Sequence, residues 1–469
     1  MASRFFKYRC CVLLIPKEQS GRAVCRSRHA RRTHIDRSER TRCVALDPEP
    51  ILGYCGDPHG VALLTPASAG RGADTIPANP STHLRLTERP RMASPLKTEL
   101  CDMLGIEYPV MLAGMGGAAG PTLAAAVSEA GGLGVVGATG YTPDELHGMI
   151  AKVRSLTDKP FGVDLLLPSS IADSGNREDL ELEISAEHHH FVDQLKQEFE
   201  IPEPSQQLDR PPLTQDYFRK QVEVILDENV PVFASGLGSP GWMVDDAHAQ
   251  GMKVIGLVGN TRNARRVAAA KVDAVVAQGT EAGGHTGRIG TLALVPQVAD
   301  AIAPTKTIAA GGIMDGRGLL AALALGAEAI WCGTAFLGTW EAYQDSEERG
   351  ETDEWTRKVQ WDKLVAAVDE DTRIGRMYSG KTMRHMYNAW TEAWERPEAP
   401  PTLPMPLQGL LVGEALRGAR EAHIEELIGG PAGNGAGLIK AIRPATEVVE
   451  TMVSQAEELI EKFGSPVAV

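Results

Sequence analysis

Between Pro109 and about Trp340, short apolar runs alternate with segments whose apolar positions recur every three to four residues. The runs are 109–113 (PVMLA), 134–138 (GVVGA), 161–166 (FGVDLL), 231–235 (PVFAS), 253–258 (KVIGLV), 273–278 (DAVVAQ), 306–310 (KTIAA) and 329–333 (AIWCG). Most are near-continuous rather than alternating, so they predict strands buried on both faces, as in a parallel sheet. The helical period between them predicts helices near 121–130, 142–157, 213–228, 241–250, 261–270, 291–302 and 316–325. Eight evenly spaced βα units over about 230 residues predict an α/β fold of the (β/α)8 TIM-barrel type, not a doubly wound sheet.

Two regions depart from this rhythm. Residues 167–212, after the third strand, are rich in Glu, Pro and Gln. Ordinary βα loops have about 2–6 residues, so this is an insertion. It leaves from the strand end that carries active sites in such barrels. It can cap a pocket, or form a solvated excursion with a short helix near 181–199. His188-His189-His190 lies in that helix. Successive helical residues are about 100° apart, so the three cannot converge on one metal ion. Residues 346–469 predict a helical C-terminal extension packed on the barrel. It is charged and Trp-bearing up to about residue 400, and a final amphipathic helix at 437–463 follows the turn Gly429–Gly437.

Charge divides the chain. Residues 1–92 hold 16 Lys and Arg against 8 Asp and Glu, and the remainder holds 31 against 53. A body that acidic disfavours nucleic acid and anionic membrane as partners. No run of about 18 apolar residues occurs, so no helix is expected to cross a membrane. Five of the seven cysteines lie in the first 55 residues, leaving Cys101 and Cys332. That is no disulfide framework, and a reduced, cytoplasmic protein is expected. Residues 1–91 have no sustained period and carry ten Arg between Arg4 and Arg42. Asp36 and Glu39 weaken a targeting-peptide reading, and Val12–Ile15 is too short for a secretory signal. With Cys10 and Cys11 adjacent and no C-x-x-C in the segment, a zinc site is not supported. A basic disordered extension is expected, with Met92 resembling a natural start before a barrel at 92–345.

Candidate chemistry lies in the glycine-rich strand ends. Gly236–Gly241 matches G-x-G-x-x-G and Gly114–Ala119 matches G-x-G-x-x-A. Neither has the acidic residue about 20 positions on that a dinucleotide site needs, so both read as turns. Gly311-Gly312 ends the seventh strand and Gly333-Thr334 the eighth. Phosphates commonly bind there in this fold, against backbone N–H groups that glycine leaves open. After the sixth strand comes Gln278-Gly-Thr-Glu281-Ala-Gly283-Gly284-His285. A histidine between glycines on the catalytic face is a candidate for proton transfer. Glu281 can orient it or remain in solvent.

The runs Ala113-Gly-Met-Gly-Gly117, Gln278–His285, Ala309-Ala-Gly-Gly-Ile313 and Trp331-Cys-Gly-Thr-Ala-Phe336 resemble the nitronate monooxygenase (2-nitropropane dioxygenase) family. The resemblance covers roughly residues 96–340 and the turn Gly-Ala-Gly-Leu-Ile at 435–439. It is shared with the sister flavin-dependent enoyl-acyl-carrier-protein reductases. It implies a barrel holding FMN non-covalently, with His285 as catalytic residue. It implies cofactor contacts from Ala113, Gly114, Met115, Asp164, Gln278, Gly283, Gly311, Gly312, Gly333 and Thr334. Two positions depart from the pattern: Gly114 stands where the family commonly has Pro, and Asp164 where it commonly has Asn. An anionic Asp164 would disfavour a reduced, anionic flavin.

The resemblance implies FMN-dependent oxidation of alkyl nitronates by O2 to a carbonyl compound and nitrite. His285 would bind the nitro oxygens, in protonated form pairing with an anionic substrate, and would remove the α-proton of a neutral nitroalkane. The alternatives are an NAD(P)H-dependent reductase of enoyl thioesters or quinones, and a flavin-binding protein with a degenerate site. No metal is required, and a homo-oligomer is compatible with the sequence.

Overall fold

The computed structural model describes residues 94–168, 171–173, 177–205 and 214–464. The expected basic extension at 1–91 lies outside the described residues. In chain order the strands are β1 (Val110–Leu112), β2 (Gly134–Gly137), β3 (Phe161–Leu166), β4 (Val232–Gly236), β5 (Lys253–Val258), β6 (Ala274–Gln278), β7 (Gly284–His285), β8 (Lys306–Ala310), β9 (Ala329–Cys332), β10 (Thr372–Gly375) and β11 (Met383–Met386). Eight pair in parallel in the order β1-β9-β8-β6-β5-β4-β3-β2. The sheet meets itself through Leu133, whose N–H donates to Val110 O at 3.0 Å and whose carbonyl accepts from Leu112 N at 2.9 Å. This is a TIM-barrel-like fold. The seventh and eighth barrel strands are β8 and β9, because β7 lies outside the barrel.

The continuous apolar runs become strands because each has two buried faces. One face fills the barrel with Met111, Val135, Ala234, Ile255, Val276, Ile308 and Trp331. The other meets the surrounding helices through Val110, Leu112, Val136, Val163, Phe233, Val275 and Ile330. Helix Glu99–Leu104, capped by Thr98, adds Leu100, Cys101 and Leu104 to the interior cluster. The helices lie where the sequence period places them, including Pro143–Leu156, which opens with a Thr142/Glu145 capping box.

Outside the barrel two expectations change. The insertion forms helices Arg177–Leu182 and Ala186–Glu198. Phe191, Val192 and Leu195 on the second are buried with Trp390, Trp394, Leu411 and Val412 from the C-terminal region. The insertion and the C-terminal region therefore share a core of their own, so the excursion is not merely solvated. His188 is held by Ser185 Oγ at 2.7 Å and by the Pro401 carbonyl at 2.9 Å, a structural arrangement.

The C-terminal region is not purely helical. Strands β10 and β11 form an antiparallel hairpin, and β7 joins its edge through Met383↔His285 and Arg384↔Gly284. The last helix spans Ala445–Gly464 rather than starting at 437, since Asn434–Leu438 form a tighter 3-10 turn and Pro444 immediately precedes the helix. It docks on the barrel at Gly316, where an added Cβ would lie 2.5 Å from Ala456 N and where Gly316 N–H donates to Gln455 Oε1 at 3.1 Å.

Candidate active site

The eleven residues expected at the site line one cavity of about 1820 Å³. Ala113, Gly114 and Met115 follow β1, Gln278 ends β6, Gly283 and His285 lie in the next loop and β7, Gly311 and Gly312 follow β8, and Gly333 and Thr334 follow β9. Asp164 belongs to β3 itself. Its register partner Ala234 faces the barrel interior, so Asp164 faces inward as well.

The glycines have separate reasons to be glycine. Gly311 and Gly312 have φ values of 107° and 72°, a region that side chains rarely adopt. Gly238, in the apparent dinucleotide motif, lies so close to the chain that a Cβ would sit 1.8 Å from Leu167 O. That motif is therefore a packing device. Thr334 Oγ1 accepts from Gly433 N at 2.9 Å, which ties the Gly-rich C-terminal turn to the cavity rim.

His285 is held from two sides. Gln278 Nε2 donates to the His285 carbonyl, and Thr286 Oγ1 donates to Gly279 O at 2.9 Å, which fixes the loop backbone. Its Nε2 lies 2.9 Å from Ser379 Oγ, in the turn between β10 and β11. Burial, with a smaller contribution from Lys381, pushes the imidazole down to about 4. His285 is therefore uncharged at neutral pH, which suits the proton-accepting role and withholds the charge pairing that a protonated imidazole would offer an anion. Glu281 takes neither of its two expected places. Its carboxylate accepts from Thr291 N at 2.9 Å and Thr291 Oγ1 at 2.9 Å, capping helix Thr291–Ile302.

Asp164 is disfavoured as an anion. It is 7% exposed, its Oδ1 has no hydrogen-bond partner, and burial raises its carboxyl well above the usual range. A protonated carboxyl presents one donor and one acceptor, much as the family's Asn amide does. Burial thus works against the expected anion beside the cofactor site. Cys332 also lines the cavity, but burial pushes its thiol up to about 12, leaving it unreactive.

The sequence analysis missed Ser379 and Lys381. The signal was present: Ser379-Gly380 is a turn pair between the short β-forming segments 372–375 and 383–386. Also missed was the wall formed by Arg417 and Arg420 of helix Leu407–Glu421. Among the described residues no group of three or more His, Cys, Asp or Glu is placed to hold a metal ion. No described helix is long and apolar enough to cross a membrane, and Cys101 and Cys332 are free and buried.

Known proteins share this architecture. A Mycobacterium tuberculosis protein provisionally designated a monooxygenase is 38% identical over 387 residues, covering 79% of this chain and 98% of its own. The solved nitroalkane oxidase of Streptomyces ansochromogenes is 30% identical, with a TM-score of 0.64, covering 78% of this chain and 100% of that one. FabK from Thermotoga maritima is 33% identical, with a TM-score of 0.59, covering 78% and 98%. The family model described as nitronate monooxygenase, whose members are typically flavin-dependent, matches residues 97–455. The protein, with its His-bearing glycine loop over a barrel mouth, belongs to the nitronate monooxygenase family.

Proposed function

We propose that the protein binds FMN at this cavity and oxidises alkyl nitronates with O2, yielding a carbonyl compound and nitrite. The observation that carries this reading is the neutral His285, held by Ser379 in the same cavity as bare glycine strand ends.

The residues fit a flavin mononucleotide. Asp164 Oδ1 is a buried polar atom without a partner, on a residue that lines the cavity. Gly311, Gly312, Gly333 and Thr334 would hold the phosphate at the strand ends where this fold commonly binds one. Ala113, Gly114, Met115, Asp164, Gln278 and Gly283 would line the ring. Bound FMN would supply the electron-transfer and oxygen chemistry that these side chains cannot.

The chain's own residues handle the proton. With the Ser379 hydroxyl turned to Met383 Sδ at 3.6 Å, Nε2–H donates to Ser379 Oγ and Nδ1 is the ring nitrogen left to accept a proton. An imidazole neutral at pH 7 can take the α-proton of a nitroalkane. The nitronate formed is an anion, and its charge favours the imidazolium it has created. Burial sharpens that pairing because little water screens it.

The test is turnover of a nitroalkane and its preformed nitronate by wild type and His285→Ala, with flavin content measured alongside. Wild type should bleach its flavin with nitronate under anaerobic conditions and release nitrite in air. The variant should lose about 10² to 10⁴ in rate on the neutral nitroalkane, less on the nitronate, and keep its flavin. Equal turnover by both proteins would remove His285 from the mechanism.

A second reading, NAD(P)H-dependent reduction of an enoyl thioester or quinone, draws support from cavity size. Small-molecule pockets usually measure about 300–1,000 Å³, and this one is about 1820 Å³. Anaerobic reduction of the flavin by NAD(P)H, without bleaching by nitronate, would favour it.

A further inference from the structure

One wall of the cavity carries two arginines. Helix Leu407–Glu421 presents Arg417 and Arg420, three positions apart and so on one face. Both line the cavity that contains His285. Burial and then Arg417 hold Arg420 below its usual basicity, against the opposing pull of Glu351 and Glu421. Among the described residues neither has an ion-pair partner within 4.0 Å, and Arg417 Nε is buried without a hydrogen-bond acceptor.

The neighbouring acids are occupied elsewhere. Glu351 pairs with Arg349 at 2.5 Å and accepts from Ser346 Oγ at 3.3 Å. Glu421 accepts from Ser205 N at 2.6 Å, and Asp353 caps helix Glu354–Ala366 while holding His423 at 2.6 Å. On the same lining, Thr352 Oγ1 and Gln360 Oε1 are also buried without partners. Buried polar atoms are normally satisfied, so orphaned groups in one cavity mark a place where a ligand completes the bonding. Backbone packing keeps this wall fixed: a Cβ on Gly418, between the arginines, would lie 2.2 Å from the Pro202 carbonyl of the insertion.

We propose that Arg417 and Arg420, with Thr352 and Gln360, form a second oxyanion subsite that takes a phosphate ester on the tail of an organic co-substrate. Two guanidinium forks match phosphate oxygens, and among the described residues neither half-buried arginine is held by a carboxylate at ion-pair distance. Thr352 adds a hydroxyl donor. Gln360 Oε1 requires a donor beside the anion, such as a sugar hydroxyl or an amide N–H. Nucleotide and phosphopantetheine tails both offer that combination. The subsite stands on this wall alone and does not depend on which oxidation or reduction occurs at His285.

The experiment is calorimetric titration of the full-length protein as purified, with NADPH, coenzyme A and inorganic pyrophosphate, for wild type and R417Q/R420Q. At least one organic phosphate should bind wild type, and the double variant should bind it at least about tenfold more weakly. NADPH binding would identify the nucleotide as the source, and coenzyme A binding the pantetheine. Nitronate turnover and flavin content are measured separately, so failure of the reaction assignment leaves this result readable. Arg417→Met serves as the folding control, and its melting temperature should equal or exceed that of wild type because one of two like charges on one helix face is gone. Absence of binding by all three probes, equal binding by the double variant, or a lower melting temperature for Arg417→Met would overturn the proposal.

Discussion

Gly114 lies directly against Asp164. A Cβ added to Gly114 would come within 2.3 Å of Asp164 Cβ and 2.4 Å of its Oδ2. These are the two positions at which the chain departs from the common family pattern. The missing side chain at 114 is the space that the Asp164 carboxyl occupies.

That contact makes the two residues energetically coupled. Gly114→Ala should destabilise the protein by about 1–3 kcal/mol, the usual cost of overpacking. The same substitution in an Asp164→Ala background should cost less than 1 kcal/mol by comparison, a coupling of the size expected for residues in contact. Denaturant unfolding of the four proteins measures the cycle. Additive effects would show that the pair is not in contact.

Asp164 also fixes a pH dependence. Burial raises its carboxyl in the folded protein while the unfolded chain ionises near the ordinary value of 3.8. Above that pH the unfolded state binds fewer protons, so this group lowers stability as pH rises toward its folded value. Asp164→Asn removes the term. The variant should melt above wild type at pH 7–8, and the gap should close toward pH 4. A gap independent of pH would indicate that Asp164 is ionised.

The opposite slope comes from His385 on β11. It is fully buried beside Tyr378, with rings 4.8 Å apart, and both ring nitrogens lack partners. Burial pushes it down to about 4 from 6.5. Between those values the unfolded state gains a proton that the folded state refuses, so stability falls as pH drops. His385→Phe keeps the edge contact and loses the proton site. Its acid-unfolding midpoint should move to lower pH, which circular dichroism against pH would register. An unchanged midpoint would assign the acid sensitivity elsewhere.

Ser379 positions His285 without itself being placed to react. Ser379→Ala should leave flavin content unchanged and lower kcat/KM by up to about tenfold, the net worth of one hydrogen bond. The pH–rate profile should shift as well, because the imidazole has lost a partner at Nε2. A loss of flavin, or no change in the pH profile, would make Ser379 merely structural.

The sequence by itself determined the barrel and the strand ends that gather at one mouth. Eight buried strands, each followed by a segment of helical period, allow few arrangements, and all eight strands formed where the pattern places them. The fold then gathers residues as far apart as Ala113 and Thr334 around one mouth, because parallel strands all end on the same side. Tertiary structure alone decided the protonation states and the far wall. Asp164 reads as an anion in the sequence, and His285 as either protonated or neutral, because ordinary pKa values apply to groups in water. Only burial, which depends on neighbours distant in the chain, pushes both toward the neutral form. The turn pair Ser379-Gly380 is legible but says nothing of His285, and Arg417 and Arg420 carry no local motif for the cavity. Ser379 reaches His285 because the hairpin pairs with β7, and the arginines reach the cavity because helix Leu407–Glu421 shares a core with the insertion. Those long-range contacts are set by side-chain packing, which no short-range period encodes.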